Sequence, residues 1–206
     1  MPRGNGDPKG EGGDNTMTNA AAFVALGSNL GEPAATLSRA AGRMDGILPG
    51  VRLAARSRLW QTAPHVLEKM ERPRPECLRV FSGDDGSVAP HGGVVQEAGP
   101  WYANMVVRLD CPRQVTPEAL FEALMDLESE LGRNRLMERR WGPRIIDIDL
   151  LSFGDETRKT ARLTLPHPRM LERAFVVLPL AEIAPERVDA KIVAGLSFTA
   201  SGTMIF

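Results

Sequence analysis

Apolar and polar residues alternate along the chain in two distinct periods. Ala20-Ala-Ala-Phe-Val-Ala-Leu26 is a short apolar run ending at Gly27, the pattern of a buried strand. From Pro33 to Leu48 the apolar residues Leu37, Ala40, Ala41, Met44, Ile47 and Leu48 recur at helical spacing, and Pro33 suits a first helical turn. Val51–Trp60 alternates between apolar and basic residues near its ends and predicts a strand, as does Trp101–Asp110. Thr116 is a helix N-cap ahead of Pro117, and Leu120, Leu124, Leu127 and Leu131 give a helix that stops at Gly132. Ile145–Phe153 is strand-like, Pro166 and Pro168 hold His167 in an extended segment, and Arg173–Ile183 is a short helix with Pro179 near a turn or kink. The order is βαββαβ. It predicts an α+β, ferredoxin-like domain over residues 20–206: a mainly antiparallel four-stranded sheet, helices on one face, and C-terminal additions.

Two segments fall outside this pattern. Residues 1–19 are rich in Gly, Asn, Asp, Pro and Lys, and predict a disordered tail. They also lack the apolar stretch of a secretory leader. His65–Pro100 has nine Gly or Pro among 36 residues and predicts a long inserted loop. Its one apolar run, Cys77–Phe81, would pair with Val94-Val95 as a small hairpin.

Composition narrows the function. Apolar residues make up 43% and charged residues 25%, ordinary for a globular chain. The net charge of -1 argues against a global grip on nucleic acid or anionic lipid, so an anion site must be a local Arg cluster. No apolar run approaches the length of a membrane-spanning helix. Cys77 and Cys111 are too few for a disulfide framework or a zinc motif, and read as reduced thiols of a cytoplasmic protein.

The sharpest chemical signal is Asp147 and Asp149. Residues i and i+2 of a strand share a face, and Ile146, Ile148 and Leu150 occupy the other. Two adjacent carboxylates repel, and a hard cation such as Mg²⁺, bound also by substrate phosphates, relieves this. One solvated strand face is the other reading. Just upstream, Arg133, Arg135, Arg139, Arg140 and Arg144 stand against a single Glu138. Guanidinium forks match phosphate oxygens, so carboxylates beside an Arg-rich loop are what phosphoryl transfer needs. An exposed basic loop is the alternative. Gly27-Ser28-Asn29-Leu30-Gly31 forms a strand-to-helix turn that is neither a P-loop nor a dinucleotide fingerprint. Tyr102 and Asn104 share a strand face, an arrangement suited to stacking on and hydrogen-bonding a flat heterocycle, or to an ordinary edge strand. His167 can donate to a phosphate or be structural.

Together, Val24–Gly31, Ser57–Pro64, Tyr102–Asn104, Leu127–Arg135, Leu163–Pro168, Arg173–Phe175 and above all Arg140-Trp-Gly-Pro-Arg-Ile-Ile-Asp-Ile-Asp-Leu-Leu151 resemble the 6-hydroxymethyl-7,8-dihydropterin pyrophosphokinases of folate biosynthesis. The resemblance covers about two-thirds of the chain. It implies transfer of the β,γ-diphosphate of ATP to the hydroxymethyl group of a reduced pterin, with AMP leaving. Asp147 and Asp149 match ligands of two Mg²⁺ ions. Arg133, Arg135 and Arg144 match groups that stabilise transition-state charge. Glu128, Trp141, Thr164, His167 and Arg173 match positions around ATP, and Thr62, Tyr102, Asn104 and Phe175 match positions around the pterin. A monomer without nucleic-acid or membrane partners is implied. Ala63, His65, Met125 and Pro168 depart from the family pattern, and His65–Pro100 replaces a shorter loop that closes over the substrates. The insertion reads either as an enlarged lid or as an addition without catalytic consequence.

Overall fold

The structure, a computed structural model, describes residues 19–62, 78–80, 101–133 and 143–199. All but the last residue of the predicted tail, nearly all of the His65–Pro100 insertion, and Arg135, Arg139, Arg140 and Trp141 lie outside the described residues.

The strands are β1 (Ala20–Ser28), β2 (Arg52–Arg56), β3 (Trp60–Thr62), β4 (Leu78–Val80), β5 (Tyr102–Cys111) and β6 (Asp147–Phe153). They form one sheet in the order β4-β3-β5-β1-β6, with β2 also pairing with β5. Every pairing is antiparallel. With β2 and β3 taken as one interrupted strand, the order is that of the ferredoxin-like βαββαβ pattern, and β4 adds a further edge. One expectation changes here and one pairing is added. The predicted strand Val51–Trp60 is broken at Ser57–Leu59, and the Cys77–Phe81 run supplies β4, which pairs with β3. Its expected partners Val94 and Val95 lie outside the described residues.

Helices α1 (Pro33–Met44) and α2 (Pro117–Glu130) pack on one face of the sheet. Both carry the predicted apolar stripe, with Leu37, Ala40, Ala41 and Met44 of α1 and Leu120, Leu124 and Leu127 of α2 buried. Each fully buried Leu contributes roughly 1.5–3 kcal/mol of transfer free energy. Thr116 caps α2, its Oγ1 accepting from the Ala119 N–H at 3.1 Å. Helix α1 ends four residues earlier than its periodicity predicts. Gly46 takes φ +75, a left-handed conformation that turns the chain, and Ile47 and Leu48 reach the core from that turn.

The helices are not confined to one face. Helix α3 (Ala174–Ile183), followed by a 3-10 turn at Pro185–Arg187 and α4 (Ala190–Thr199), covers the opposite face. There Val176, Val177 and Leu180 of α3 bury Phe23, Val106 and Leu151. Pro179 lies inside α3 and is itself buried. A small hairpin, β7 (Arg158–Lys159) with β8 (Thr164–Leu165), completes the structure; the hydrophobic pattern did not predict it. No helix among the described residues is long and apolar enough to cross a membrane.

Candidate active site

The site is built on the α3 face of the sheet, beyond the part that α3 covers. Strand register decides which side chains meet there. Gly27 pairs with Asn104 on one side and Asp147 on the other, and Trp60 pairs with Asn104. Directly opposed residues share a face, so Trp60, Asn104, Gly27 and Asp147 form one row across four strands. Thr62 and Tyr102 form the next row towards one end, and Ala25 and Asp149 the next towards the other. The alternating residues Ile148 and Leu150 point into the α1–α2 core, as the spacing predicts.

Asp147 lies between two arginines. Arg133, just beyond the C-terminus of α2, donates from Nη1 to Asp147 Oδ1, and Arg144 donates from Nη1 to Asp147 Oδ2 at 2.6 Å. Arg133 is anchored from behind by Glu128, whose Oε1 accepts from Arg133 Nη1 at 2.5 Å and from the Ile148 N–H at 2.8 Å. Glu128 is 1% exposed, so it reaches the open site through Arg133. Arg144 is held by its backbone: its N–H donates to Asn29 Oδ1 at 2.8 Å, and its carbonyl accepts from the Asn29 N–H at 3.1 Å. Burial alone would raise the Asp147 carboxyl, but the two guanidiniums overcome this and hold it below the usual carboxylate range.

Asp149 has the opposite balance. Burial, then the Asp147 charge, raises its carboxyl above the ordinary value, although His167, Arg173 and Arg133 pull the other way. Arg173, at the N-cap of α3, approaches Asp149 Oδ2 at 3.4 Å and lies over the Phe175 ring at 5.7 Å. His167 is tied to β6 by its backbone, its N–H donating to the Leu151 carbonyl at 2.7 Å. Its Nδ1 accepts from the Arg169 N–H at 3.2 Å, which leaves Nε2 as the donor of the neutral ring. Burial lowers the imidazole, Asp149 raises it, and Arg173 and Arg169 lower it again, for a net downward shift.

At the other end of the row Asn104 Nδ2 donates to Thr62 Oγ1 at 2.9 Å. Both side chains are buried, with a hydroxyl hydrogen and a carboxamide oxygen left for a ligand edge. A Cβ on Gly27 would stand 3.3 Å from Asn104 Oδ1 and 4.0 Å from Asp147 Cβ. The missing side chain keeps the path between the polar pair and the carboxylates open.

At this level the site can hold a polar heterocycle edge, a cation and a polyanion side by side. The chain is similar to a 2-amino-4-hydroxy-6-hydroxymethyldihydropteridine pyrophosphokinase of Methylorubrum extorquens, with 38% identity over 167 residues, 81% of this chain and 84% of that one. The chain belongs to the 7,8-dihydro-6-hydroxymethylpterin-pyrophosphokinase family. The model of that family matches residues 86–185. A pyrophosphokinase of the same name from Pseudomonas aeruginosa is 35% identical over 164 residues, covering 80% of each chain. A solved Plasmodium falciparum HPPK-DHPS structure is similar at a TM-score of 0.48 and 14% identity; the match covers 84% of this chain and 39% of that longer one.

Of the residues the sequence singled out for this pyrophosphokinase family member, the structure joins Asp147, Asp149, Arg133, Arg144, Glu128, His167 and Arg173 through hydrogen bonds or charge, and Thr62 to Asn104. Tyr102 is half-buried opposite Thr62, and Phe175 is half-buried at the start of α3. Thr164 is exposed on β8. Arg135 and Trp141 lie outside the described residues. Sequence reasoning missed the clamp of Asn29 on Arg144, whose only signal is a carboxamide directly after the first strand. It also missed Gly27 as an open floor, because the Gly-rich segment reads equally well as a turn.

Proposed function

We propose that this enzyme transfers the β,γ-diphosphate of ATP to the hydroxymethyl oxygen of 6-hydroxymethyl-7,8-dihydropterin, with Asp147, Asp149, Arg133 and Arg144 as the centre of the reaction. The observation that carries the reading is the single row Asn104–Gly27–Asp147, which joins a heterocycle-binding pair to a carboxylate pair with no side chain between them. The pterin hydroxyl oxygen forms a bond to the β-phosphorus and releases its proton to solvent, the bond from that phosphorus to the bridging oxygen of the α-phosphate breaks, and AMP departs with that oxygen.

The chain's own groups divide the work. Thr62 and Asn104 bind the pterin edge, and Tyr102 and Phe175 sandwich the ring. Arg133 and Arg144 turn from Asp147 to the phosphate oxygens and stabilise the charge that develops there. One buried polar atom without a partner, Arg144 Nε, supports a ligand at this end. Arg135, Arg173, His167, Trp141 and Thr164 complete the surroundings of ATP, while Glu128 acts by holding Arg133.

Asp147 and Asp149 fit Mg²⁺, two ions in this reading. They are hard oxygen donors on one face, and a cation would offset the burial and the Asp147 charge that together raise the Asp149 carboxyl. Among the described residues no third His, Cys, Asp or Glu joins them, so a bound ion would need further donors such as phosphate oxygens. The bound ions supply charge neutralisation on the diphosphate and Lewis acidity at the attacked phosphorus. The enzyme acts as a cytoplasmic monomer in this reading.

The test is AMP formation from ATP, Mg²⁺ and 6-hydroxymethyl-7,8-dihydropterin by the wild type, Asp147→Ala and Asp149→Ala. Pterin-dependent AMP that falls by orders of magnitude in both variants supports the proposal; no AMP from folded wild type overturns it.

A further inference from the structure

The break between β2 and β3 has a specific remedy. Arg56 pairs with Val107 and Trp60 pairs with Asn104. Three residues, Ser57, Arg58 and Leu59, therefore stand opposite two, Val106 and Met105, which makes a bulge. Ser57 repairs one side of it. Its N–H donates to the Val106 carbonyl at 2.9 Å, and its Oγ accepts from the Val106 N–H at 3.0 Å and donates to the Arg58 carbonyl at 2.8 Å. The other side is repaired from α3. Glu182 Oε1 accepts from the Arg58 N–H at 3.2 Å and from Arg58 Nε at 2.8 Å, while Oε2 accepts from Trp60 Nε1 at 3.1 Å.

The consequence lies two residues further on. Strand β3 is only three residues long, and a slip by one residue would exchange Trp60 and Thr62 for Gln61 on the site face. We propose that Glu182 is a positioning residue for the heterocyclic substrate: by gripping Arg58 and Trp60 across the bulge it fixes the register and tilt of β3, and so places Thr62 Oγ1 for its bond to Asn104. This assignment rests on the pterin reading of the Thr62–Asn104 pair. Glu182 touches neither of the substrates' binding groups and acts through Trp60. An exposed Arg–Glu pair alone contributes little, but here one carboxylate takes three donors, one of them a backbone N–H with no strand partner. The acid also stands out in α3, whose other residues from Ala174 to Ile183 are all apolar.

The experiment measures kcat, the KM for 6-hydroxymethyl-7,8-dihydropterin, the KM for ATP and the Tm in Glu182→Gln, Trp60→Phe and the double variant. The pterin KM rises about tenfold in each single variant, as loss of one charge-assisted hydrogen bond predicts, with the ATP KM within about twofold of wild type. The double variant is no worse than the more severe single one, because both remove the same link. A lowered Tm with both KM values unchanged, or equal rises in both, overturns the assignment and leaves Glu182 as a structural tie. Should Glu182→Gln fail to fold, Trp60→Phe gives the same readings with the Arg58 bonds intact. Wild type lacking pterin-dependent AMP formation overturns the pterin reading and this assignment together, whereas active wild type with an unchanged pterin KM in the variants overturns the Glu182 assignment alone.

Discussion

Asp147 and Asp149 stand two residues apart on one face of β6, yet their carboxyls are driven in opposite directions. Arg133 and Arg144 stabilise the charge on Asp147, while burial and that same charge penalise ionisation of Asp149.

The linkage signs follow from these directions. Asp147 is lowered, so its contribution to stability is present above its unfolded value of 3.8 and is lost as pH falls towards the folded value. Asp149 is raised, so its contribution is present below 3.8 and is lost as pH rises through the folded value. Above 3.8 the burial of Asp149 beside Asp147 is therefore a cost to the fold. We expect Asp149→Asn to raise the Tm without ligands by a few degrees at pH 7 while abolishing AMP formation. Thermal melts across pH 3–8 check this, and a lower Tm at pH 7 contradicts it.

Glu128 is a buried carboxylate with a backbone N–H and a guanidinium on one oxygen. Glu128→Gln keeps its volume and removes its charge. The expected cost is about 1–3 kcal/mol in urea unfolding at pH 7, the range for a hydrogen bond to a charged group together with a group left unsatisfied. Because Arg133 loses its anchor, kcat falls as well. Unchanged stability would show that the Glu128 charge is not needed to hold Arg133.

Gly27 forms the floor between Asn104 and Asp147. Gly27→Ala puts a methyl group 3.3 Å from Asn104 Oδ1, close enough to displace it by a few tenths of an ångström. The backbone there does not require glycine, so the fold tolerates the change with a stability difference within about 1 kcal/mol. Turnover is expected to drop about tenfold through loss of alignment between pterin and carboxylates. Steady-state kinetics with a parallel melt separate the two effects; wild-type kinetics would refute the floor.

Cys111 ends β5 fully buried, and burial, with the Asp110 charge beside it, pushes its thiol up to about 11. The thiolate is the reactive form, so this sulfur is protected twice. In a Cys77→Ser variant a disulfide-exchange reagent at pH 7 should label no thiol in the native protein and one per chain in denaturant. Rapid native labelling would mean that the β5 end opens readily.

How much of this was legible in advance follows from range. The periodicities of 20–26, 33–48, 51–60, 101–110, 117–131 and 145–153 are local, and they predicted the βαββαβ order as well as the face that Asp147 and Asp149 share. Motif resemblance named Arg133, Arg144, Thr62 and Asn104 without saying how they meet. Cross-strand register is a long-range property: nothing near Gly27 in the chain says that Asn104 and Asp147 flank it. The bulge at Ser57–Leu59 was hidden for the same reason, because its extra residue is defined only against Val106 and Met105. The second helical layer was missed because α3 is apolar nearly all round and shows no stripe to assign to a face. The chain by itself therefore determined the family resemblance and the order of the elements. Tertiary structure alone decided that Glu128 reaches the site through Arg133 and that Glu182 holds the Thr62 strand, since buried charges find their partners only when distant segments pack.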